Sequence, residues 1–506
     1  MILPLFRHSR RACATIRLYL VPPTIGLVLV LALPVTAVAH ATLESSDPRA
    51  DSVVAVAPNV ISLSFSEPVD TIGARLRVTA PDGSRYEAGQ PTTKGRVLRS
   101  QLRPGLPQGT SIVTWSVISD DGHRLSGAFI FSVGAPAPAP TPGDSGITAP
   151  PPAPIPGDRI FTAPPGSVTT SAVIRAIRFA TIVTAVGIVA LLIAVWAPMV
   201  RRRREQDPTA VDSADTTFRR SATQLALITL ISLVAVALIY VPVEAWRDGL
   251  SVGELLSLRQ GRVDVAILIL ALAALPLVAL LARRDNRRLA IAAGALVLAL
   301  AAMPALAGHA SAQDPAWPSL LADWAHVTAA GLWGGGLLVL AIAMPAALRA
   351  ADKNTRESLI ADVIQRFTRL ALVGLVVLVA TGVFSAITLA GSVAAIWETP
   401  WGRLLIVKVI VVAVTVLLAP IARRAGDNLS RGVQLEALLV IVAIALTGLL
   451  TGLGPRPADI TRSATSLALQ QQIAAPSYPQ TPQIARHQQA NRNVLASYLP
   501  AVARME

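Results

Sequence analysis

Long apolar runs constrain this chain more than any other feature. Eight of them lie between about residues 173 and 453, at about 176–200, 221–243, 263–282, 289–310, 320–348, 370–390, 404–422 and 433–453. About 20 such residues suffice to cross a bilayer as a helix. A backbone in hydrocarbon must satisfy its own hydrogen bonds, so runs of this length predict an all-α polytopic membrane domain. Composition agrees: 53% of residues are apolar and 15% charged, against about 25% charged in a soluble domain. A wholly soluble enzyme, a coiled coil and a fully disordered chain are excluded.

The net charge of +14 is almost all arginine, since lysine occurs only at 94, 353 and 408. The arginines sit between the apolar runs, which fits membrane topology and gives no reason to expect a nucleic-acid partner. One set of alternate loops holds eighteen basic residues, among them Arg201 to Arg204, Arg283, Arg284, Arg349, Lys353, Arg423 and Arg424. The other set holds four: Arg247, Arg259, Arg262 and Arg403. The positive-inside rule places the first set in the cytoplasm and both chain ends outside a cytoplasmic membrane.

Residues 1–39 read as a signal peptide. Arg7, Arg10, Arg11 and Arg17 precede an apolar stretch from Leu18 to Leu33, and Ala37-Val38-Ala39 has the pattern of a cleavage site. An uncleaved anchor helix is the competing reading. Residues 40–133 predict a β-sandwich: Ile61, Leu63 and Phe65 alternate with serines, and Val113, Trp115, Val117 and then Phe129, Phe131, Val133 repeat the period of two. Turns follow from Pro81-Asp82-Gly83 and Asp120-Asp121-Gly122. Residues 134–168 form a proline-rich linker, extended and semi-rigid, and 454–506 a polar tail, carrying His487, that is expected to be disordered.

Cleavage after Ala39 makes His40 the first residue. Its α-amine and imidazole Nδ1 can then close a chelate ring on one metal ion, and nitrogen and oxygen donors in a tetragonal set suit Cu(II). A second pair of donors, Asp121 and His123, sits two residues apart at a turn. A turn histidine that merely caps a loop is the plainer reading of His123, and Asp is common in turns in any case. The only cysteine is Cys13, within the expected signal peptide, so the mature chain has no thiolate ligand or nucleophile.

The runs HATLESSDPRADSVV at 40–54, FSEPV at 65–69 and TWSVISDDGHRLSGAFIFSV at 114–133 resemble the CopC family of copper-binding proteins. The resemblance implies a cupredoxin-like or Ig-like sandwich outside the cytoplasmic membrane. It also implies Cu(II) ligands at His40, Asp121 and His123, with Glu67 in a supporting position. Some members add a methionine-rich Cu(I) site. No methionine lies between residues 2 and 198 here, so Cu(II) alone is expected on this domain.

Ionisable groups inside a bilayer are costly and point to function. His309, in AMPALAGHASA, is expected at the outer end of the fourth span. His326, in DWAHVTAAGLWGGG, falls near the outer start of the fifth, with Asp323 three residues earlier on the same face as a partner for its ring. Interhelical hydrogen bonding is the competing reading for both histidines. Lys408 and Glu436 also fall in or near spans, as snorkelling or structural groups. AGHA at 307–310, DWAHVTAAGLWGGGL at 323–337, RFTRLALVGLVVLVATGVFSA at 366–386 and TPWGRLLIVK at 399–408 resemble the CopD family of copper-resistance membrane proteins. That resemblance implies passage of copper across the membrane, with His309 and His326 as candidate ligands.

Together these features predict a non-enzymatic copper-uptake protein that meets copper and the lipid bilayer. A Cu(I) stage in the membrane domain and an external reductase or chaperone are compatible with that expectation. No G-x-x-x-x-G-K-[ST] motif is present, so no ATP-driven step is expected. Two other readings remain at this level: a haem held between two histidines for electron transfer, and copper sequestration without transport.

Overall fold

The computed structural model describes residues 43–119, 124–134, 167–207, 211–312, 315–390, 393–424 and 429–452. The expected signal peptide, residues 135–166 of the linker and the tail lie outside these, as do His40, Asp121, His123 and His487. The chain divides into two compact units, one containing the sandwich and residues 244–260, the other containing helical residues 168–243 and 261–455.

The sandwich is built from β1 (Leu43–Asp47), β2 (Val53–Val54), β3 (Val60–Phe65), β4 (Val69–Thr79), β5 (Thr92–Lys94), β6 (Val97–Gln101), β7 (Gly109–Ser119) and β8 (Arg124–Val133). One sheet has the order β1-β3-β6-β5 and the other β2-β8-β7-β4. The alternation read from the sequence is the alternation of burial. Ile61, Leu63 and Phe65 are wholly buried, and Leu76, Val78, Val113, Trp115, Val117, Phe129 and Phe131 close on them from the second sheet. Phe65 and Trp115 meet edge to face across the core, with ring centroids 5.1 Å apart.

Among the described residues, eight helices are long and apolar enough to cross a membrane. They are Thr170–Gln206, Asp212–Asp248, Arg259–Arg283, Arg287–Ala307, Trp317–Ala350, Thr355–Ala390, Pro400–Pro420 and Gly432–Leu450. Several outrun their apolar windows, because charged turns at their ends stay helical. The sixth span extends a helix that already begins at Lys353. The fourth is shorter than expected: it ends at Ala307, where Gly308 leaves helical geometry, and His309 opens a 3-10 turn to Ala312. Two spans are interrupted by wider π-turns, at Leu191–Trp196 in the first and Gly331–Gly335 in the fifth. These two helices cross at their glycines. A Cβ on Gly187 would strike the backbone of Gly335, and one on Gly335 would strike the Val183 carbonyl. Only glycine permits that approach.

The arginine-rich ends are tied together by carboxylates. Arg201 forks onto Asp285 at 2.7 and 2.8 Å, Arg203 reaches Asp362 at 2.6 Å, and Asp215 receives Arg219 at 2.7 Å and the Trp196 indole at 2.7 Å. The Arg201 fork holds the Asp285 carboxyl below its ordinary range.

Candidate metal centre

Strand pairing decides which parts of the sandwich share an end. Leu43, at the start of β1, pairs with Phe65, at the end of β3. Four residues later the chain enters the second sheet at Val69, which pairs with Ser119, at the end of β7. The β7–β8 hairpin closes on the pair Ile118–Arg124. The short corner Ser66-Glu67-Pro68 therefore links the partner of Leu43 to the partner of Ser119. In the sequence His40 is three residues before Leu43, and Asp121 and His123 fall between Ser119 and Arg124.

The corner and the hairpin base are both held. The Phe65 amide donates to the Arg96 carbonyl at 2.9 Å and the Val69 amide to the Gly95 carbonyl at 3.0 Å. Arg124 donates to the Ser116 hydroxyl at 2.8 Å and the Gly73 carbonyl at 3.2 Å. Burial lowers the pKa of this guanidinium. Glu67 lies in the corner with one carboxylate oxygen buried. Among the described residues no three histidine, cysteine or acidic side chains gather as a metal cluster. The expected ligands His40, Asp121 and His123 lie outside the described residues.

A second polar site lies in the helical unit. His326 and Asp323 share the helix Trp317–Ala330 one turn apart, as expected. The ring partner differs from expectation. His326 Nδ1 lies 3.0 Å from Thr381 Oγ1 on the sixth span, while Asp323 accepts from the Ser385 hydroxyl at 3.3 Å. Thr381 has one hydroxyl proton, and its shorter contact, 2.6 Å, is to the Val377 carbonyl one turn back. Its oxygen is thus left to accept from Nδ1–H, which puts the free lone pair of the imidazole on Nε2. That tautomer leaves Nε2 able to ligate a metal, with the orienting partner supplied by a neighbouring helix. Gly382 leaves room for the ring, since a Cβ there would come within 3.3 Å of His326 Cε1.

Lys408, on the seventh span, is within electrostatic reach of Asp323 and His326. Depth along the helices agrees. His326 is nine residues from the helix start at Trp317, Thr381 nine from the end at Ala390, and Lys408 eight from Pro400. At about 1.5 Å per residue, each is about 12–14 Å below the same side of the bundle. His309 lies above this layer, in the turn after the fourth span. Thr381 and Ser385 escaped sequence reasoning because a hydroxyl on an apolar helix gives no signal until its neighbour is known.

Two family matches divide the chain in the same way. The CopC domain family matches residues 43–134, and the family described as Copper resistance protein D matches 361–450. Copper transport protein CutJ of Bacillus subtilis (strain 168) is 24% identical over 460 residues, 85% of this chain and 77% of that protein. Copper resistance protein C of Escherichia coli is 38% identical over 114 residues, 21% of this chain and 90% of that protein. Among solved structures, CopC from Methylosinus trichosporium OB3b is 28% identical, covering 20% of this chain and all of that one, with a TM-score of 0.17.

Proposed function

Because this chain belongs to the CopC–CopD copper-resistance family, and so handles copper, we propose that it captures Cu(II) outside the cytoplasmic membrane and passes copper inward through its helical domain. The reading is supported by the Phe65–Val69 corner, whose strand pairing puts Leu43, Ser119 and Arg124, the described neighbours in sequence of His40, Asp121 and His123, at one end of the sandwich. After cleavage behind Ala39, the His40 amine and ring, the Asp121 carboxylate and the His123 ring supply three nitrogens and one oxygen, a set that favours Cu(II). Glu67, in the corner, takes a supporting role. The proline-rich segment then acts as a tether, raising the local concentration of loaded sandwich at the helical domain to about millimolar.

In the helical domain, copper meets the His326 Nε2 lone pair, with Asp323 one turn above and His309 nearer the surface. The scarcity of lysine and arginine in the loops on the His326 side supports an outward-facing entrance. Copper moves without ATP, since no nucleotide-binding motif is present. The test has two arms. Cu(II) titration of the purified protein compares a chain beginning at His40 with one carrying a single extra residue. The chelate requires the extra residue to weaken binding by orders of magnitude, and equal affinities would refute it. Radiocopper uptake by cells is then measured with His40, His123, His309 and His326 each replaced by alanine. Loss of uptake in His326→Ala with Cu(II) binding intact is the expected result; unchanged uptake removes His326 from the path.

A further inference from the structure

The eight spans are two sets of four laid out on one plan. The first and fifth spans each carry a central π-turn, at Leu191–Trp196 and Gly331–Gly335. The second and sixth are long helices, Asp212–Asp248 and Lys353–Ala390. Each is followed by a six-residue helix, Val252–Ser257 or Val393–Glu398, and then by a 25-residue helix, Arg259–Arg283 or Pro400–Arg424. Helices of 21 and 22 residues close the sets, Arg287–Ala307 and Leu429–Leu450. The sequence keeps the same register: S-V-x8-G-R occurs at Ser251–Arg262 and again at Ser392–Arg403, 141 residues on. Four spans per set give both sets the same orientation in a bilayer.

Corresponding helices then carry corresponding chemistry, with the charges exchanged. In the first set, Arg178 of the first span bonds Asp264 of the third at 2.6 Å, both side chains under 10% exposed. The guanidinium lies over the Tyr240 ring of the second span, 4.7 Å from its centroid. In the second set the carboxylate, Asp323, is on the fifth span and the cation, Lys408, on the seventh. Thr381 of the sixth span, the residue under the His326 ring, is 141 residues beyond Tyr240. Packing brings the seventh span to that level, since Leu389 and Leu404 pack on the cluster of Ala390, Trp401 and Leu450. Ser385 and Lys408 are each one turn below that contact, and Ser385 donates to Asp323.

The first site is shut. A planar guanidinium fixed by a short salt bridge and an aromatic face has no freedom to leave. The second holds a point charge on a flexible stem, at the same depth as a carboxylate and an imidazole and within their electrostatic reach. A cation entering there gains Asp323 and His326 Nε2 but is repelled by Lys408 unless the ammonium withdraws. We infer that Lys408 is the resident cation of the His326 site, holding the place beside Asp323 that transported copper takes and returning to it as copper leaves. The first set, closed by Arg178 and Asp264, is the scaffold copy that carries no cargo.

This inference rests on His326 lying on the copper path, and the experiment separates the two. Radiocopper uptake, supplied with ascorbate, is measured in proteoliposomes of the full chain carrying Lys408→Met, Lys408→Arg, Asp323→Asn with Lys408→Met, Arg178→Met with Asp264→Leu, or His326→Ala. Lys408→Met is expected to lower KM for copper at least fivefold and to slow turnover, because cargo binds an uncompensated carboxylate and nothing displaces it. Adding Asp323→Asn should return KM to the wild-type value or above, and Lys408→Arg should keep KM near wild type. The Arg178/Asp264 double variant should leave KM unchanged. A folded Lys408→Met protein with wild-type KM overturns the inference. Should Lys408→Met fail to fold, the Asp323→Asn/Lys408→Met pair carries the test: its turnover should fall below wild type, and wild-type turnover there would equally overturn the inference. Normal uptake in His326→Ala overturns instead the path on which the inference stands.

Discussion

The first four spans and the last four share lengths, interruptions and order, yet among the described residues only the last four combine a histidine, a carboxylate and a lysine in one layer. The first four fill the equivalent place with an arginine–aspartate pair capped by a tyrosine. The difference separates what a membrane scaffold needs from what a cargo site needs. In the first, cation and carboxylate already meet at 2.6 Å, whereas in the second the imidazole has one nitrogen oriented and the other available to a ligand. The contrast is broken most severely at Asp264. Asp264→Ala leaves Arg178 in a buried position without its short salt bridge, a loss expected to remove about 3–5 kcal/mol of stability. Asp323→Asn keeps an oxygen for Ser385 and should unfold near the wild-type temperature while uptake falls. Thermal unfolding in detergent checks both, and equal destabilisation by the two would erase the distinction between the sites.

The next effect tests the crossing of the two sets. Gly335→Ala places a methyl group against the Val183 carbonyl, where backbone and not a flexible side chain must give way. Overpacking of this kind costs about 1–3 kcal/mol, and the yield of folded protein should fall accordingly. A smaller effect separates Thr381 from its counterpart. Thr381→Val removes the acceptor that orients the His326 ring, and loss of such a partner weakens metal sites by about 10–100-fold. Copper uptake at low copper should fall by about that factor with unfolding unchanged. Tyr240→Phe keeps the ring under Arg178 and should leave uptake at the wild-type level. Equal effects of the two substitutions would place both sets on the copper path.

Much of this was legible in the sequence, and the rest was hidden for identifiable reasons. The period of two in β3 and β7 reports burial directly, since alternate residues must face the core. Eight apolar runs report eight helices long and apolar enough to cross a membrane, because a run of that length satisfies its own backbone in hydrocarbon as a helix. His326 and Asp323 stand out as charge-bearing groups in an apolar context. Arg178 and Asp264 did not, because each sits near a span end where a charge reads as loop. Only the fold shows that they face one another. Thr381 carries no charge at all, and its role depends on the depth at which the sixth span passes the fifth. The expected bond between Asp323 and His326 followed from helical spacing alone, and spacing could not reveal that a neighbouring helix supplies the nearer oxygen. The four-plus-four repeat was masked by hydropathy, which looks alike in every span. It surfaces when helix lengths and π-turns are laid side by side.

The smallest expected effect has the opposite sign. The last helix of each set carries a glycine, but the two differ in surroundings. A Cβ on Gly448 would meet the Ala172 carbonyl at 2.6 Å and the Ala176 methyl at 2.7 Å, so this glycine lets the eighth span lie close on the first. At Gly294, in the fourth span, a Cβ meets nothing within 4 Å. Glycine in a helix interior costs about 1 kcal/mol relative to alanine when no close contact requires it. Gly294→Ala should therefore raise the unfolding temperature slightly, with uptake unchanged, while Gly448→Ala lowers it. A bilayer narrows the gain at Gly294, because lipid restricts the unfolded helix as well, so the shift should be a fraction of that found for a soluble helix. If Gly294→Ala instead destabilises the protein, the outer face of the fourth span is covered by a partner, and the first set of spans has a packing role beyond that of a closed scaffold.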